Sequence, residues 1–445
     1  MTVLAFVIGI VVLVVGLAVS IALHELGHLL PAKAFGVRVG QYMVGFGPTL
    51  FSRRKGETEY GVKAIPLGGY ISMAGMYPPS AALGDPVPVG ADAGAEAARD
   101  AAPSRRGRFF SVMVQDARTA NDETLIGADE DRTFYRLPVW KRIVVMLGGP
   151  IMNLLLAVVL FTILLSGIGL QTATASVASL SACVPAASGS EECVSDTTPA
   201  EAAGLEPGDE ILEIDGMPVG DFAEASGIIQ GSAGEPLTLL VDRDGAQRTL
   251  TVTPVAVPAT VVDPERGQET VEVGFIGFRP GSEYVRQPIW SGAVTAIENV
   301  GAVTGIIWQL PVKVVDAGMT LFTGAERDPN GPLSVVGASV IAGEAAASDA
   351  PVINRVSFII GLLGSLNIAL FVFNLIPLLP LDGGHVVVAL WDGIKRTTAK
   401  LLGRPAPKPV DATKLVPLTF VVVIALVVMG GTLILADLLN PISLF

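Results

Sequence analysis

The chain has 445 residues, 51% of them hydrophobic and 16% charged, with a mean hydropathy of +0.58. Its formal net charge is −13, and it carries three histidines and two cysteines. This excludes a basic nucleic-acid-binding surface and a metal site built from cysteines alone, and describes an integral membrane protein with sizeable soluble parts.

The first apolar run, Val3–Leu30, is long enough to span a bilayer. It lacks a basic n-region and a small-x-small cleavage site, and its apolar core is longer than a signal's, so residues 1–36 read as a retained span. The run closes on His24-Glu25-Leu26-Gly27-His28, an H-E-x-x-H. On a helix, positions i and i+4 share a face, so both imidazoles reach one ion, with Glu25 placed as general base for a water at the metal. Ionisable groups inside a hydrophobic helix are costly, which favours a functional reading.

Residues 37–76 are rich in Gly, Val, Phe and Tyr, with turn signals at Gly45-Phe46-Gly47-Pro48, Arg53–Gly56 and Leu67-Gly68-Gly69-Tyr70. The pattern predicts a β-hairpin from Val44–Phe51 and Glu59–Leu67, able to offer an edge to an extended peptide. Residues 77–142 form an insertion dominated over 78–104 by Ala, Gly, Pro and Asp, a composition that predicts flexibility. Phe109-Phe110 and Phe134-Tyr135 are its candidate anchors, and Trp140-Lys141-Arg142 marks the edge of a second span over 143–170.

Residues 171–280 alternate short β-branched runs with turns. Within them Pro199–Gly216 reads as a short helix, a Pro207-Gly208-Asp209 turn and a strand entering Asp215-Gly216. Cys183 and Cys193 fall in this segment, where an exported location permits a disulfide. Ala293–Met319, inside 281–352, is interrupted by Glu298, Pro311, Lys313 and Asp316 and reads as an amphipathic surface helix. A third span, Val356–Leu381 within 353–391, carries Asn374, Pro377, Pro380 and then Leu381-Asp382-Gly383-Gly384-His385. Prolines at membrane depth free backbone groups that protein or water must satisfy. A loop over 392–414 leads to the fourth span, Leu415–Leu438 within 415–445.

Charge counts orient the spans. Residues 31–142 carry 15 Lys+Arg against 12 Asp+Glu, and residues 392–414 six against two. Residues 171–352 carry seven against 25, so 7 − 25 = −18 for that segment. Basic loops belong inside. Both termini and the acidic segment are therefore expected outside the cytoplasm, and the first and third spans carry His24, His28 and Asp382 toward the cytoplasmic side.

H-E-x-x-H in the first span, N-x-x-P followed by L-D-G in a late span, and the P-A-x-x-A-G-L-x-P-G-D-x-I-x-x-x-D-G pattern between them together resemble the site-2 proteases, intramembrane zinc metalloproteases of the bacterial regulator-of-sigma-E type. The 171–280 pattern itself resembles a PDZ domain, in one copy. Gly68-Gly69-Tyr70 resembles the end of the family's membrane β-loop, Gly149-Pro150-Ile-Met-Asn153 its second-span signature, and Gly331-Pro332 a turn after its PDZ region. The resemblance implies His24, His28 and Asp382 as ligands of Zn2+, Glu25 as catalytic base, and Asn374 with Gly68 and Gly69 as substrate-binding positions. Asp382 and His385 compete for one ligand position; the resemblance selects Asp382. Two departures stand: the second proline falls one place later than in the family, at Pro380, and relatives with two PDZ copies differ from the single copy here.

The expected architecture is a polytopic α-helical membrane protein of about four transmembrane helices, with a membrane-associated β-hairpin and an inserted extracytoplasmic PDZ domain. The expected activity is hydrolysis of peptide bonds in or near the transmembrane segment of single-pass membrane proteins, of which the resemblance implies pre-trimmed anti-sigma factors. Substrate stubs or peptides at the PDZ domain and membrane lipid are the other expected partners, with no nucleic acid. A membrane-anchored PDZ scaffold leaves the histidines and Asp382 idle. An ion or metal transporter needs more intramembrane polar residues or inverted repeats than the sequence carries.

Overall fold

A computed structural model describes residues 2–79, 105–125, 129–188, 190, 192–263, 267–325, 327–328, 331–405 and 407–442. Most of the stretch expected to be flexible thus lies outside the described residues, as do the side chains of Phe109 and Phe110. The chain divides into two compact units, Met1–Ser166 with Pro288–Phe445, and Gly167–Gln287.

In the first unit, helix α1 (Thr2–Ala34) runs antiparallel to α3 (Val139–Thr162), which a π-helical turn prolongs over Ile163–Ile168. The two backbones touch: a Cβ on Gly27 would lie 2.2 Å from the Gly148 carbonyl oxygen. Between them come strands β1 (Val39–Lys55) and β2 (Thr58–Met73) and helix α2 (Arg105–Thr124). The sheet is more than the simple hairpin expected. Its tip pairs Lys55 with Thr58, but Tyr42 pairs with both Tyr60 and Ile71. Positive φ at Gly45, Gly47 and Gly68 lets each strand bend, so that 39–44 lie between 59–62 and 69–73. The Tyr42 hydroxyl donates to the Ala22 carbonyl of α1 at 2.7 Å, tying the sheet to that helix. The insertion helix α2 docks on the end of the sheet through Asn121, whose amide exchanges two hydrogen bonds with the Tyr77 backbone at 3.0 and 3.1 Å.

Among the described residues, five helices are long and apolar enough to cross a membrane: Val3–Ala34, Val139–Ile168, Ser291–Thr323, Val352–Asn374 and Ala412–Leu439. The third of these, α6 (Ser291–Thr323), is the segment read from sequence as amphipathic. It is followed by α7 (Val335–Ala347), α8 (Val352–Asn374), α9 (Asp382–Leu401) and α10 (Val416–Leu439). The two ends of α6 meet the C-terminal parts of α3 and α10, while Ala296, Val300, Val303 and Ile307 between them pack along α3 and α8. A Cβ on Gly292 would lie 2.2 Å from Thr162 Oγ1, at the last residue of α3, and Gly318 faces Thr432 near the C-terminal end of α10. Val314 and Ala317 of α6 pack with Leu433. Those two ends coincide because α7 lies along the N-terminal half of α1, through Leu13, Ala338 and Ala342, and holds Asp437 of α10 against Gly337.

The third apolar segment is not one helix over 353–391. Helix α8 stops at Asn374, Leu375–Leu381 turn back, and Asp382 opens α9. Pro377 and Pro380 have no N–H with which to continue the helical ladder. Gly383 allows the reversal: a Cβ there would lie 2.4 Å from the Leu375 carbonyl oxygen. Helix α9 also continues through Leu401, so the expected 392–414 loop is helical in its first half. Two buried ion pairs lock the bundle. Arg142 of α3 meets Asp392 of α9 at 2.5 Å, and Arg327 pairs with Asp437 of α10.

The second unit contains β3 (Leu170–Leu180), β4 (Val184–Pro185), β5 (Cys193–Ser195), α4 (Pro199–Ala202), β6 (Glu210–Ile214), β7 (Met217–Pro218), α5 (Phe222–Gly231), β8 (Leu237–Arg243), β9 (Ala246–Val252), β10 (Val255–Asp263), β11 (Gly267–Phe275) and β12 (Phe278–Val285). Its main sheet has the order β12-β3-β6-β8-β9, with β7 on β6. Val177, Leu205, Ile211, Ile214, Ile229, Leu239, Val241 and Ile276 form its core. The last strand pairs with the first, Val285 beside Leu170, so the unit runs beyond the 171–280 read from sequence. Asp215 and Asp244 take positive φ, each just before a glycine in the hairpin turns that the Asp-Gly pairs predict. Cys183 and Cys193 are joined by a disulfide.

Candidate metal centre

One turn apart on α1, His24 and His28 bring their rings to 4.8 Å between centroids, with their Nε2 atoms 3.2 Å apart. Asp382, the first residue of α9, places Oδ2 3.3 Å from each of those nitrogens. The reversal after α8 is what returns the chain to α1 at this position.

Helix α3 forms the wall behind the histidines. The His28 Nδ1–H donates to the Val145 carbonyl at 2.8 Å, which leaves Nε2 as the lone-pair nitrogen. Asn153 Nδ2 lies 3.1 Å from His24 Nδ1. Between them, a Cβ on Gly149 would lie 2.2 Å from His28 Nε2 and 2.8 Å from His24 Cε1, so only glycine leaves room for both rings. Positions 145, 149 and 153 recur every four residues and so share one face of the helix. Sequence reasoning named none of them as site residues. That spacing is the signal that could have found them, but it points nowhere until α3 is known to face α1.

The donor set fits a metal. Three ligand atoms, two imidazole nitrogens and one carboxylate oxygen, lie within 4.8 Å of one another. Asp382 Oδ2 is buried and accepts no hydrogen bond among the described residues. With both rings carrying their proton on Nδ1, the three lone pairs would repel one another, and a cation would relieve that. Two histidines and a carboxylate are the protein ligands of a zinc-type hydrolytic set.

Glu25 is 9% exposed and sits on the neighbouring face of α1. Its Cγ lies against Gly69, where an added Cβ would approach to 2.9 Å. Gly68 has φ +106, and a Cβ there would meet the Phe46 ring. The 69–73 segment pairs with 39–44 on one side and with no other strand among the described residues, so it is a sheet edge beside Glu25. Asn374 ends α8, with its side-chain amide donating to the Leu370 carbonyl at 2.9 Å; among the described contacts it does not touch the metal cluster. His385 is outside the ligand cluster, with its ring 6.1 Å from that of Tyr77.

Residues 12–405 match peptidase family M50. The chain is 35% identical over 457 residues to the zinc metalloprotease Rip1 of Mycobacterium tuberculosis, covering 99% of each. It is 34% identical to Rip1 of Mycolicibacterium smegmatis, again over 99% of each, and 29% identical to the metalloprotease MmpA of Caulobacter vibrioides over 88% of each.

Proposed function

The chain belongs to peptidase family M50, the site-2 proteases, and we propose that His24, His28 and Asp382 are its zinc ligands and Glu25 its catalytic base. It is an intramembrane zinc metalloprotease and a multi-pass membrane protein. The observation that carries the residue assignment is the convergence of three ligand atoms within 4.8 Å beside a buried glutamate that is not one of them. Zinc, when bound, supplies Lewis acidity that polarises a carbonyl and makes a water acidic. Glu25 accepts the proton of the attacking water and returns it to the amine released as the C–N bond breaks. Helical peptide bonds are shielded by their own hydrogen bonds, so the substrate must be unwound. The free edge at Gly69–Met73 is placed to hold it as an added strand, and the Gly68-Gly69 pair keeps side chains out of its path. Asn374 holds the substrate backbone by exchanging its bond to Leu370 for one to the peptide.

The proposed substrates are single-pass membrane proteins, among them anti-sigma factors already trimmed outside the cell. Four helices cross the bilayer in this reading, with α6 along the outer face, since Gly292 near its start meets Thr162 of α3 and Gly318 near its finish meets Thr432 of α10. Trp308, Phe322, Val312 and Val315 are exposed on it and suit the lipid interface. Both termini and the unit of 167–287, read as a PDZ domain, lie outside, and the metal centre lies toward the cytoplasm. Substrate stubs are the proposed ligands of that domain.

The test is cleavage of a panel of tagged single-pass proteins. Glu25→Gln is expected to abolish cleavage while zinc stays near one per chain, and His24→Ala or Asp382→Ala to lower both. Appreciable turnover by Glu25→Gln would defeat the base assignment. Zinc unchanged in Asp382→Ala would move the third ligand elsewhere, with His385 the first candidate.

A further inference from the structure

We propose that Asn153 is a positioning residue that fixes the tautomer and ring angle of His24, so that α3 orients both imidazoles of the metal centre. This rests on the reading of His24 and His28 as zinc ligands.

An imidazole has two ring nitrogens with different roles. A neutral ring that gives Nε2 to a metal carries its proton on Nδ1, and that N–H needs an acceptor when buried. His28 has one, the Val145 carbonyl at 2.8 Å. His24 has only the Asn153 amide, at 3.1 Å. Asn153 is 1% exposed, and its Oδ1 is buried without a hydrogen-bond partner among the described residues. A half-turn of the amide about Cβ–Cγ exchanges its two ends and presents Oδ1 to Nδ1–H. Which end faces the ring is set by the hydrogen-bond network rather than by the shape of the side chain. A buried asparagine with an unused acceptor next to the one ring nitrogen that needs an acceptor is accounted for by this pairing.

The geometry of α3 makes the assignment specific. Val145 and Asn153 lie two turns apart on one face, with Gly149 between them opening the space the rings fill. A backbone carbonyl serves His28. Beside His24, one turn further along α1, the group that α3 presents is the Asn153 side chain. Leucine has the branching of asparagine with somewhat more volume, and it would leave Nδ1–H unpaired.

Zinc affinity by chelator competition on the full chain in detergent separates the two roles. Asn153→Asp keeps an acceptor and is expected to bind zinc within about threefold of wild type. Asn153→Leu is expected to bind it about 10–100-fold more weakly, the usual cost of losing the partner of a ligating histidine. Thermal unfolding of the metal-free proteins should differ little. If Asn153→Leu does not fold, Asn153→Ser against Asn153→Ala poses the same question, with serine expected to bind zinc more tightly. A second measurement is independent of packing. In the His24→Ala background Asn153→Leu should cost almost nothing further, because a residue acting through His24 has nothing left to position. Equal zinc affinity in Asn153→Leu and wild type, equal losses in the Asp and Leu variants, or additive losses with His24→Ala would each overturn the proposal. Failure of wild-type protein to bind zinc, or of His24→Ala to weaken it, would instead overturn the ligand reading beneath it.

Discussion

Gly149 has no room for a side chain. A methyl group there would stand 2.2 Å from His28 Nε2, inside the space of a ligand atom. Gly149→Ala is therefore expected to leave the helix intact, since alanine favours helix more than glycine does, but to reduce zinc to a small fraction of one per chain. Zinc analysis beside circular dichroism checks it; a zinc-replete Gly149→Ala protein would mean that the rings sit elsewhere when loaded. At this scale the sequence was legible in part. His24, Glu25 and His28 could be read because their relation is local: four residues on a helix share a face. Asp382 is 354 positions from His28 and was placed only by resemblance. Asn153 stood in the sequence only within the Gly149–Asn153 signature, without a role, because its meaning lies in which helix it faces, and a backbone carbonyl such as that of Val145 has no sequence signature at all.

Among the elements, α9 carries the sharpest consequence. It begins with the proposed ligand Asp382 and is pinned ten residues later by Asp392, which is fully buried against Arg142 at 2.5 Å and also meets Arg396 at 2.9 Å. Arg142 lies one turn before Val145, so this pair sets the register of α9 against the helix that orients His28. Removing one partner of a buried pair strands the other charge, at a cost of about 3–5 kcal/mol. Asp392→Ala should unfold at markedly lower temperature and lose zinc, whereas Arg142→Met with Asp392→Leu should recover most of the stability. If the double variant is no more stable than Asp392→Ala, the stranded charge is not the cause. The sequence showed prolines in this segment but not that the helix would end at Asn374 and restart at Asp382. That reversal depends on Gly383 packing against the Leu375 carbonyl, a contact between turns rather than a propensity.

In the second unit, Asp209 of the turn before β6 accepts from Arg243 Nε at 2.6 Å and from the Glu206 amide at 2.9 Å. Burial pushes its carboxyl up, but the hydrogen bonds from Arg243 and from the Glu206 amide, with the guanidinium charge, more than reverse this and hold it below the usual carboxylate range. A depressed folded-state pKa contributes stability that is fully present above the unfolded value, about 3.9, and is lost as the pH falls through the lower folded value. Hydrogen-exchange protection of β6 and β8 should therefore hold from pH 7 to about 5 and decline below about pH 4. Asp209→Asn should be less protected at pH 7 and show a flatter decline; an unchanged profile would remove Asp209 as a source of acid sensitivity.

The whole molecule separates chemistry from whatever the second unit contributes. All the candidate site residues apart from the cysteines belong to Met1–Ser166 and Pro288–Phe445. The inserted unit leaves and rejoins the first at neighbouring points: the Ser166 hydroxyl donates to the Pro288 carbonyl at 3.0 Å. Replacing Gly167–Gln287 by a short Gly/Ser linker therefore closes the chain without stretching either helix end. Strand β3 closes its sheet with β12 inside the excised unit, so no sheet edge is left behind. The deletion protein is expected to keep one zinc per chain and to cut short-stub substrates in a Glu25-dependent way. Substrates with intact outer domains are expected to be cut faster than by the full chain if the unit excludes them. Zinc content and cleavage are measured on the same preparation, since loss of both reports misfolding at the splice. A deletion protein that is folded and zinc-loaded yet cuts nothing would show that the unit engages substrates productively rather than screening them, because the hydrolytic site itself would then be complete and still idle.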